Sequence, residues 1–265
     1  MKILFLIFHG FSEHSGISKK IHYQIKGLQE NGHEVHVCTY SLDEQKHRIR
    51  YIDNQILEDF GNGKFASLKK RICYQSIVRY AQNEHIDFVY ARSFHNANPF
   101  TIRLFKSLKK AGIKSVIEIP TYPYDQEYVG FSKKERLELK IDQLFRHQLA
   151  KQTDKIVTFT EDSIIFGQKT ICISNGVDFD SIPLKQPSNN SSKELHLIGV
   201  AEVHYWHGFD RLIHGIGEYY SHPHETEVYF HIIGGIGPSE MYNSQHAPGF
   251  HELIEKYHIE PYILF

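Results

Sequence analysis

The chain has 265 residues, of which 41% are hydrophobic and 23% are charged, a composition typical of a globular protein with one or two domains. Its 30 Lys and Arg residues nearly balance its 31 Asp and Glu residues, so bulk charge gives no argument for a nucleic-acid partner. The three cysteines, Cys38, Cys73 and Cys172, are far apart in the sequence. This sparse, odd set favours reduced thiols over a disulfide framework.

The N-terminal stretch MKILFLIFHG has six consecutive apolar residues after Lys2. That run is too short for the core of a secretory signal peptide. No apolar run in the chain approaches the ~20 residues that a membrane-spanning helix needs. We therefore expect a cytoplasmic protein.

The first two thirds of the chain alternate apolar runs with segments of helical periodicity. The strands predicted from apolar runs are 3–8, 33–40, 86–91, 114–119, 154–160 and 169–174. The helices predicted from a 3.6-residue period are one carrying Ile17, Ile21, Ile25 and Leu28, then 101–112 and 132–152. Residues 41–85 show no clear pattern apart from a helix over 67–82. This order predicts an α/β fold with a doubly wound parallel sheet and helices on both faces.

A polar, Pro-bearing stretch at 183–194 has no apolar period and predicts a linker between domains. The alternation then restarts, with strands at 195–201, 227–235 and 262–265 and helices at 208–220 and 250–258. We therefore predict an N-terminal Rossmann-like domain over 1–182 and the first part of a second one over 195–265.

Candidate sites follow the strands, because open α/β sheets bind ligands at the carboxyl ends of their strands. Gly16 ends a Gly-containing loop whose N–H groups could hold an anion or a sugar hydroxyl, although a turn that needs glycine is an equal alternative. Glu118, Thr121 and Tyr122 follow the strand 114–119 and combine a carboxylate with aromatic rings. That chemistry suits a carbohydrate, and a proline-fixed loop packed on itself is nearly as well supported.

The stretch VAEVHYWHGFDRLI, residues 200–213, has the rhythm of a phosphate-binding strand, loop and helix. Its loop carries Glu202, His204 and His207, and Gly208 stands at the predicted start of the helix, whose positive end suits a diphosphate. The two histidines have no third ligand at metal-binding spacing, so no metal site is predicted. A dinucleotide site is poorly supported because no G-x-G-x-x-G motif occurs.

A second glycine-rich segment ends the strand 227–235 and contains Gly234 and Gly235. Glycines at such a strand end let a ligand, most often a nucleotide, approach the backbone closely. The segment is a weak indication by itself.

Taken in order, five segments resemble family 4 of the retaining glycosyltransferases, which have the GT-B architecture of two Rossmann-like domains. They are 15–17, 158–162, 173–178, 207–213 and 232–238. The resemblance implies an N-terminal domain that binds the acceptor and a C-terminal domain that binds a nucleotide-sugar. It implies sugar transfer with retention of configuration, without a cofactor or an obligatory metal. The partners expected from it are a nucleotide-sugar donor and a glycan or lipid-linked acceptor in surface polysaccharide or other glycoconjugate synthesis.

The resemblance also distributes the candidate residues between the two substrates, and no catalytic residue is assigned. The acceptor side comprises Gly16, Glu118, Thr121 and Tyr122. The donor side comprises Glu202, His204, His207, Gly208, Gly234 and Gly235.

The sequence departs from the family in three places. Glu202 and His207 stand where arginine and lysine usually hold the donor diphosphate, and Pro120-Thr121 replaces an acceptor-side histidine. The paired-glutamate motif does not occur within the 265 residues, so the resemblance implies a second domain that continues past Phe265 and a chain that is inactive alone. The alternative is a non-catalytic, glycosyltransferase-like binding protein with a degenerate donor site.

The helix predicted over 132–152 has a basic end and an apolar stripe. Two interpretations stay open: peripheral contact with the inner face of the cell membrane, and a helix packed on its sheet with a solvated charged face, which is favoured. The basic residues are Lys133, Lys134, Arg136 and Lys140, and the stripe comprises Leu137, Ile141, Leu144 and Leu149.

Overall fold

The computed structural model describes residues 1–8, 11, 16–92, 96–125, 132–184, 193–201, 203, 207–234 and 249–265. They form a mixed α/β protein that divides into two compact units, 1–183 and 184–265. Several predictions fall outside the described residues: most of the linker 183–194, Glu202, His204 and Gly235.

The described strands of the first unit form a nine-stranded sheet of order β4-β3-β2-β1-β5-β6-β7-β9-β8. Its strands are β1 (Lys2–Ile7), β2 (Glu34–Leu42), β3 (Arg48–Ile52), β4 (Gln55–Asp59), β5 (Phe88–Arg92), β6 (Lys114–Ile119), β7 (Lys155–Thr158), β8 (Ile164–Ile165) and β9 (Gln168–Cys172). Its helices are α1 (Gly16–Glu30), α2 (Ala66–Ile72), α3 (Gln75–Asn83), α4 (Pro99–Lys110) and α5 (Lys133–Ala150). The six strands from β2 to β9 in this order are parallel, as predicted.

Successive residues of the central strand β1 enter two different cores. Leu4 and Leu6 belong to the larger core, while Phe5 and Ile7 pack with Ile21 of α1. Because side chains alternate between the two faces of a strand, a strand covered on both faces must be apolar throughout. The continuous run 3–8 is explained by this two-sided burial.

The sheet is not parallel throughout, which corrects the prediction for both edges. β3 and β4 form an antiparallel extension of β2, and β8 pairs antiparallel with β9. Asp53 and Asn54 form the turn between β3 and β4, both with positive φ, as Asp and Asn tolerate. The short strands alternate irregularly in polarity, which is why the sequence pattern over 41–85 was weak.

The helix predicted over 67–82 is two helices, α2 and α3, because the chain becomes extended at Cys73. Arg50 of β3 donates hydrogen bonds to the carbonyl oxygens of Lys70 and Cys73, at 3.1 and 2.8 Å. Carbonyls at the end of a helix lack partners within the helix. Arg50 supplies those partners, and so stabilises the break through a contact that is distant in sequence.

The predicted apolar stripe of α5 is divided along the helix. Leu149 is buried in the core, whereas Leu137, Ile141 and Leu144 are exposed. Ser132 caps the helix and exchanges hydrogen bonds with Glu135 in a capping box. The end of α5 therefore packs on the sheet, and its first three turns keep an uncovered apolar face.

The second unit contains a three-stranded parallel sheet of order β10-β11-β12. Its elements are β10 (Glu194–Val200), α6 (Phe209–Tyr220), β11 (Glu227–Ile233), α7 (Phe250–Tyr257) and β12 (Ile263–Leu264). Ile213 and Ile216 of α6 pack with Leu253 and Ile254 of α7 against Phe230 of β11. The predicted alternation of this unit is confirmed.

The helices in the described part of the chain include none that is long and apolar enough to cross a membrane.

Candidate functional site

A buried ionic cluster lies at the carboxyl end of β6, around Glu118. The Glu118 side chain is 0% exposed, and Arg92 at the end of β5 donates to its Oε1 at 2.8 Å. Tyr90 and Gln24 donate to its Oε2 at 2.6 and 2.8 Å. Both carboxylate oxygens are therefore engaged by protein groups. This arrangement favours Glu118 as a residue that positions its neighbours over one that contacts a sugar.

Lys20 of α1 adds a second cation to this cluster. Its Nζ lies 3.5 Å from Glu118 Oε1 and 3.5 Å from the centroid of the Phe159 ring. Burial lowers the pKa of Lys20, while the charge of Glu118 opposes that shift. Two cations on one carboxylate leave a positive excess at the carboxyl edge of the parallel strands, where such sheets bind ligands.

The loop after β6 is held mainly by packing within the protein. Tyr122 packs edge-on against Phe166, with ring centroids 5.6 Å apart. The Tyr124 hydroxyl donates to the Asp142 carboxylate at 2.6 Å. Arg146 of α5 forms a bidentate ion pair with Asp125. Thr121 is exposed and makes none of these contacts. The loop therefore has a well-supported structural role, and Thr121 is its accessible candidate.

Gly16 is the first residue of α1, and a Cβ there would meet no atom within 4 Å. The glycine is thus not required by close packing among the described residues. Lys20 and Gln24, which lie one and two turns after Gly16 along α1, contact Glu118.

A cavity of about 1060 Å³ opens on the other face of the first unit. Its walls come from the ends of β1 and β2, from α2 and from the first turns of α4 and α5. None of the acceptor residues predicted from sequence lines it. Its most unusual lining residue is Lys70, which lies among arginines, and no sequence pattern singled it out.

In the second unit, Gly208 is the N-cap residue of α6 and has a left-handed backbone, φ 70°. It has no side chain to cap the helix, and its carbonyl accepts from the N–H groups of Arg211 and Leu212. A Cβ at position 208 would collide with the guanidinium of Arg211. Arg211 therefore folds back over Gly208 and holds a cation at the N-terminus of the helix.

The charges at this helix start have opposing effects on an anion. The guanidinium of Arg211 and the positive end of the helix dipole both attract one. Asp210 lies in the same first turn and repels it. His207 is exposed and packs its ring near Phe209, with centroids 5.9 Å apart. Arg211 supplies the cation that the loop sequence itself lacks.

Gly234 has a structural reason to be glycine. Its φ is 132°, and a Cβ there would collide with the carbonyl oxygen of Ala201 at the end of β10. The close approach of these two strand ends requires the absence of a side chain. Among the described residues, no group of three or more His, Cys, Asp or Glu side chains is placed to hold a metal ion.

Sequence patterns missed three cations: Arg92, Lys70 and Arg211. Arg211 had an available signal, since it stands three residues after a glycine at a predicted helix start. Arg92 directly follows the predicted strand 86–91, which is a common place for a ligand-binding residue. Lys70 had no such signal, because two of its three arginine neighbours, Arg48 and Arg50, come from a strand some twenty residues earlier in the chain.

No protein-family model matches the chain, and no curated protein matches it significantly. The crystal structure of TarM is similar over 100% of this chain and 76% of TarM, with 10% sequence identity and a TM-score of 0.47. The crystal structure of a chitinase from Chromobacterium violaceum is similar over 62% of this chain and 57% of the chitinase, with 12% identity and a TM-score of 0.28. Similarity at these levels identifies neither a family nor an activity, so the function rests on the chain's own residues.

Proposed function

We propose that this chain is part of a glycosyltransferase that moves a sugar from a nucleotide-sugar donor to a glycan or lipid-linked acceptor. In this proposal the first unit binds the acceptor and the second binds the donor diphosphate. The nucleoside diphosphate is the leaving group, and the proposal includes no cofactor. The enzyme would act in the cytoplasm, in surface polysaccharide or other glycoconjugate synthesis.

The observation that carries the proposal is the guanidinium of Arg211 over Gly208 at the start of α6. A cation at a helix N-terminus is unfavourable in isolation, because it faces the positive end of the helix dipole. A bound diphosphate would remove that conflict, since it accepts from the guanidinium and from the N–H groups of the first turn. In a transfer reaction the same groups would stabilise the charge that develops on the leaving diphosphate.

The first unit supports an acceptor role through its strand ends. The cluster of Arg92, Lys20 and Glu118 gives one face of that edge a positive excess, and Thr121, three residues after Glu118, is exposed. On the other face lies the large cavity. Both features are at the edge where open parallel sheets bind their ligands.

Binding of nucleoside diphosphates tests the donor half without requiring turnover. UDP, GDP, ADP and dTDP would be titrated calorimetrically into the 265-residue chain, with the matching monophosphates for comparison. We expect at least one diphosphate to bind more tightly than its monophosphate. Arg211→Gln should weaken that binding by about 10- to 100-fold, because a charge-assisted hydrogen bond contributes about 1.5–3 kcal/mol.

Two further variants sharpen the test. Asp210→Asn should tighten diphosphate binding, because it removes the opposing charge from the first turn. Lys256→Gln, which removes an exposed cation from α7 of the same unit, should leave binding unchanged. If no diphosphate binds at millimolar concentration, the proposal is overturned, and a non-catalytic protein with a degenerate donor site becomes the better account.

A further inference from the structure

We propose that the cavity between α2, α4 and α5 binds the phosphate head and the adjoining chain of an anionic single-chain lipid. The juxtaposition that supports this is a partly buried lysine, Lys70, beside an apolar rim formed by three helices. The inference rests on the proposed function in one respect: the bound lipid would be the carrier of the acceptor sugar. The lipid-binding step itself can be measured independently.

The charge of the cavity wall is strongly positive. The charged residues that line it are Arg50, Lys64, Lys70, Arg71, Lys134, Glu135 and Glu138. Glu138 pairs with Arg71, and Glu135 keeps its negative charge while it closes the capping box with Ser132. Arg50 has its own carboxylate in Glu58, at 3.0 Å. The three lysines therefore outnumber the one remaining carboxylate in the wall, Glu135, and they carry the positive excess.

Lys70 is the lysine best placed to meet an anion. Its Nζ lies 3.3 Å from the centroid of the Tyr40 ring, and it forms no ion pair with a carboxylate among the described residues. Burial, followed by repulsion from Arg71, Arg50 and Arg48, lowers its pKa to about 8. The Tyr40 ring offsets only part of the cost of holding a cation there. A bound phosphate would supply the missing counter-charge.

The rest of the opening is apolar and uncovered. Leu68, Phe100, Leu137 and Ile141 line the cavity and are 53%, 41%, 58% and 37% exposed. They come from α2, α4 and α5, so three separate helices present apolar side chains around one opening. Phe8 and Phe145 continue the apolar wall inward. A hydrocarbon chain would cover these surfaces, and each methylene that it buries would strengthen binding by up to about fourfold.

The cavity has two halves, the charged wall around Lys70 and the apolar rim, and together they select among ligand classes. A free sugar phosphate would neutralise Lys70 and leave the leucines exposed. A neutral hydrocarbon would cover the leucines and leave Lys70 without a counter-charge. A cavity of about 1060 Å³ accommodates a phosphate head together with a chain. An anionic single-chain lipid is the one class that satisfies both halves.

The direct test is calorimetric titration of the 265-residue chain with dodecyl phosphate below its critical micelle concentration. Inorganic phosphate supplies the head alone, and dodecyl maltoside supplies the same tail with a neutral head. We expect dodecyl phosphate to bind at least tenfold more tightly than either. Equal affinity for inorganic phosphate would identify a simple anion site, and equal affinity for dodecyl maltoside would identify unspecific apolar adsorption; each result would overturn the inference.

Matched variants locate the binding. Lys70→Met should weaken dodecyl phosphate binding about tenfold or more and leave dodecyl maltoside binding unchanged, whereas Lys69→Met, an exposed neighbour outside the cavity, should change neither. Leu137→Gln should weaken binding several-fold. Leu144→Gln, on the same helix but outside the cavity and 71% exposed, should not. Equal losses within either pair would contradict binding in this cavity.

The outcomes separate this inference from the proposed function. Arg211→Gln should alter nucleotide binding alone, and Lys70→Met should alter lipid binding alone. Dodecyl phosphate binding without nucleotide binding would keep the lipid site and overturn the glycosyltransferase. Nucleotide binding without dodecyl phosphate binding would keep the donor site and overturn the lipid site.

Discussion

Arg92 and Glu118 form an ion pair, Nη1 to Oε1 at 2.8 Å, in which the side chains are only 5% and 0% exposed. The pair joins the ends of two adjacent parallel strands, β5 and β6, where Arg92 and Glu118 are register partners. Lys20 and Tyr90 complete the cluster around the same carboxylate. A buried charge is tolerated only when it is paired and hydrogen-bonded, so the cluster is sensitive to the loss of any member.

Replacement of Glu118 by glutamine should destabilise the first unit by about 3–5 kcal/mol, because it leaves Arg92 buried without its counter-charge. Urea unfolding followed by far-UV circular dichroism would measure the change. Glu34→Gln is the matched control, since it breaks an ion pair with Lys2 whose side chains are 54% and 35% exposed, and should cost much less. Similar losses for the two variants would contradict a special role for burial at Glu118.

Lys70 makes stability depend on pH in a predictable direction. Its pKa is about 8 in the folded chain against 10.5 for an ordinary lysine, so the unfolded state binds more protons between these values and stability rises with pH there. Lys70→Met removes this charge and should be more stable than the unmodified chain at pH 7, by about 1–2 kcal/mol after allowance for partial exposure. The advantage should shrink as the pH rises above 8.

Urea unfolding of both proteins at pH 7, 8 and 9 would check this dependence, with Lys69→Met as the control. A Lys70→Met variant no more stable than the unmodified chain at pH 7 would show that the charge is held without cost. The expected pairing of higher stability with weaker lipid binding would mark Lys70 as a residue kept for binding.

Gly234 and Gly215 should respond in opposite ways to alanine. Gly234→Ala places a Cβ against the Ala201 carbonyl at a φ of 132°, so it should destabilise the second unit by more than about 1–3 kcal/mol. Gly215 lies inside α6, where a Cβ would meet nothing within 4 Å, so Gly215→Ala should stabilise it by about 0.5–1 kcal/mol. Amide hydrogen exchange of β10 and β11 would report both changes, and a shift of the same sign in both variants would contradict the argument.

The cysteines should differ widely in reactivity. Cys38 is 1% exposed, and burial raises its pKa to about 12, whereas Cys172 is exposed. A thiol reagent attacks the thiolate, so Cys172 should be labelled in minutes and Cys38 only after unfolding. Mass spectrometry of labelled peptides would distinguish them, with Cys172→Ser as the control. Rapid labelling of Cys38 in the folded chain would show that β2 opens readily.

Patterns that repeat along the chain were enough to predict most of the fold. The apolar run of β1 is continuous because the strand is buried on both faces, and the isoleucines of α1 are spaced because the helix is buried on one face. Both patterns are the same whichever element packs against the strand or the helix. Gly112 follows α4 with a φ of 78°, a conformation that marks a helix end in the sequence as well as in the structure. The alternation of strands and helices was therefore determined locally.

The candidate sites depended on contacts between distant residues. The break between α2 and α3 needs Arg50 from β3, and the burial of Glu118 needs Gln24 from α1 and Arg92 from β5. Sequence spacing identified Glu118 and Gly208 as candidates. It could not give the hydrogen-bond partners of Glu118, or identify Arg211 as the cation that lies over Gly208.

The sequence by itself determined the order of the elements and the apolar faces that form the cores, because periodicity and turn residues act over a few positions. Only the tertiary structure decided the environment of each charge. Whether Lys70 faces arginines or carboxylates, and whether Arg211 points along α6 or back over Gly208, is fixed by packing between elements and by the solvent that packing excludes. Electrostatic free energy depends on distance and burial in space, and neither quantity is carried by position along the chain.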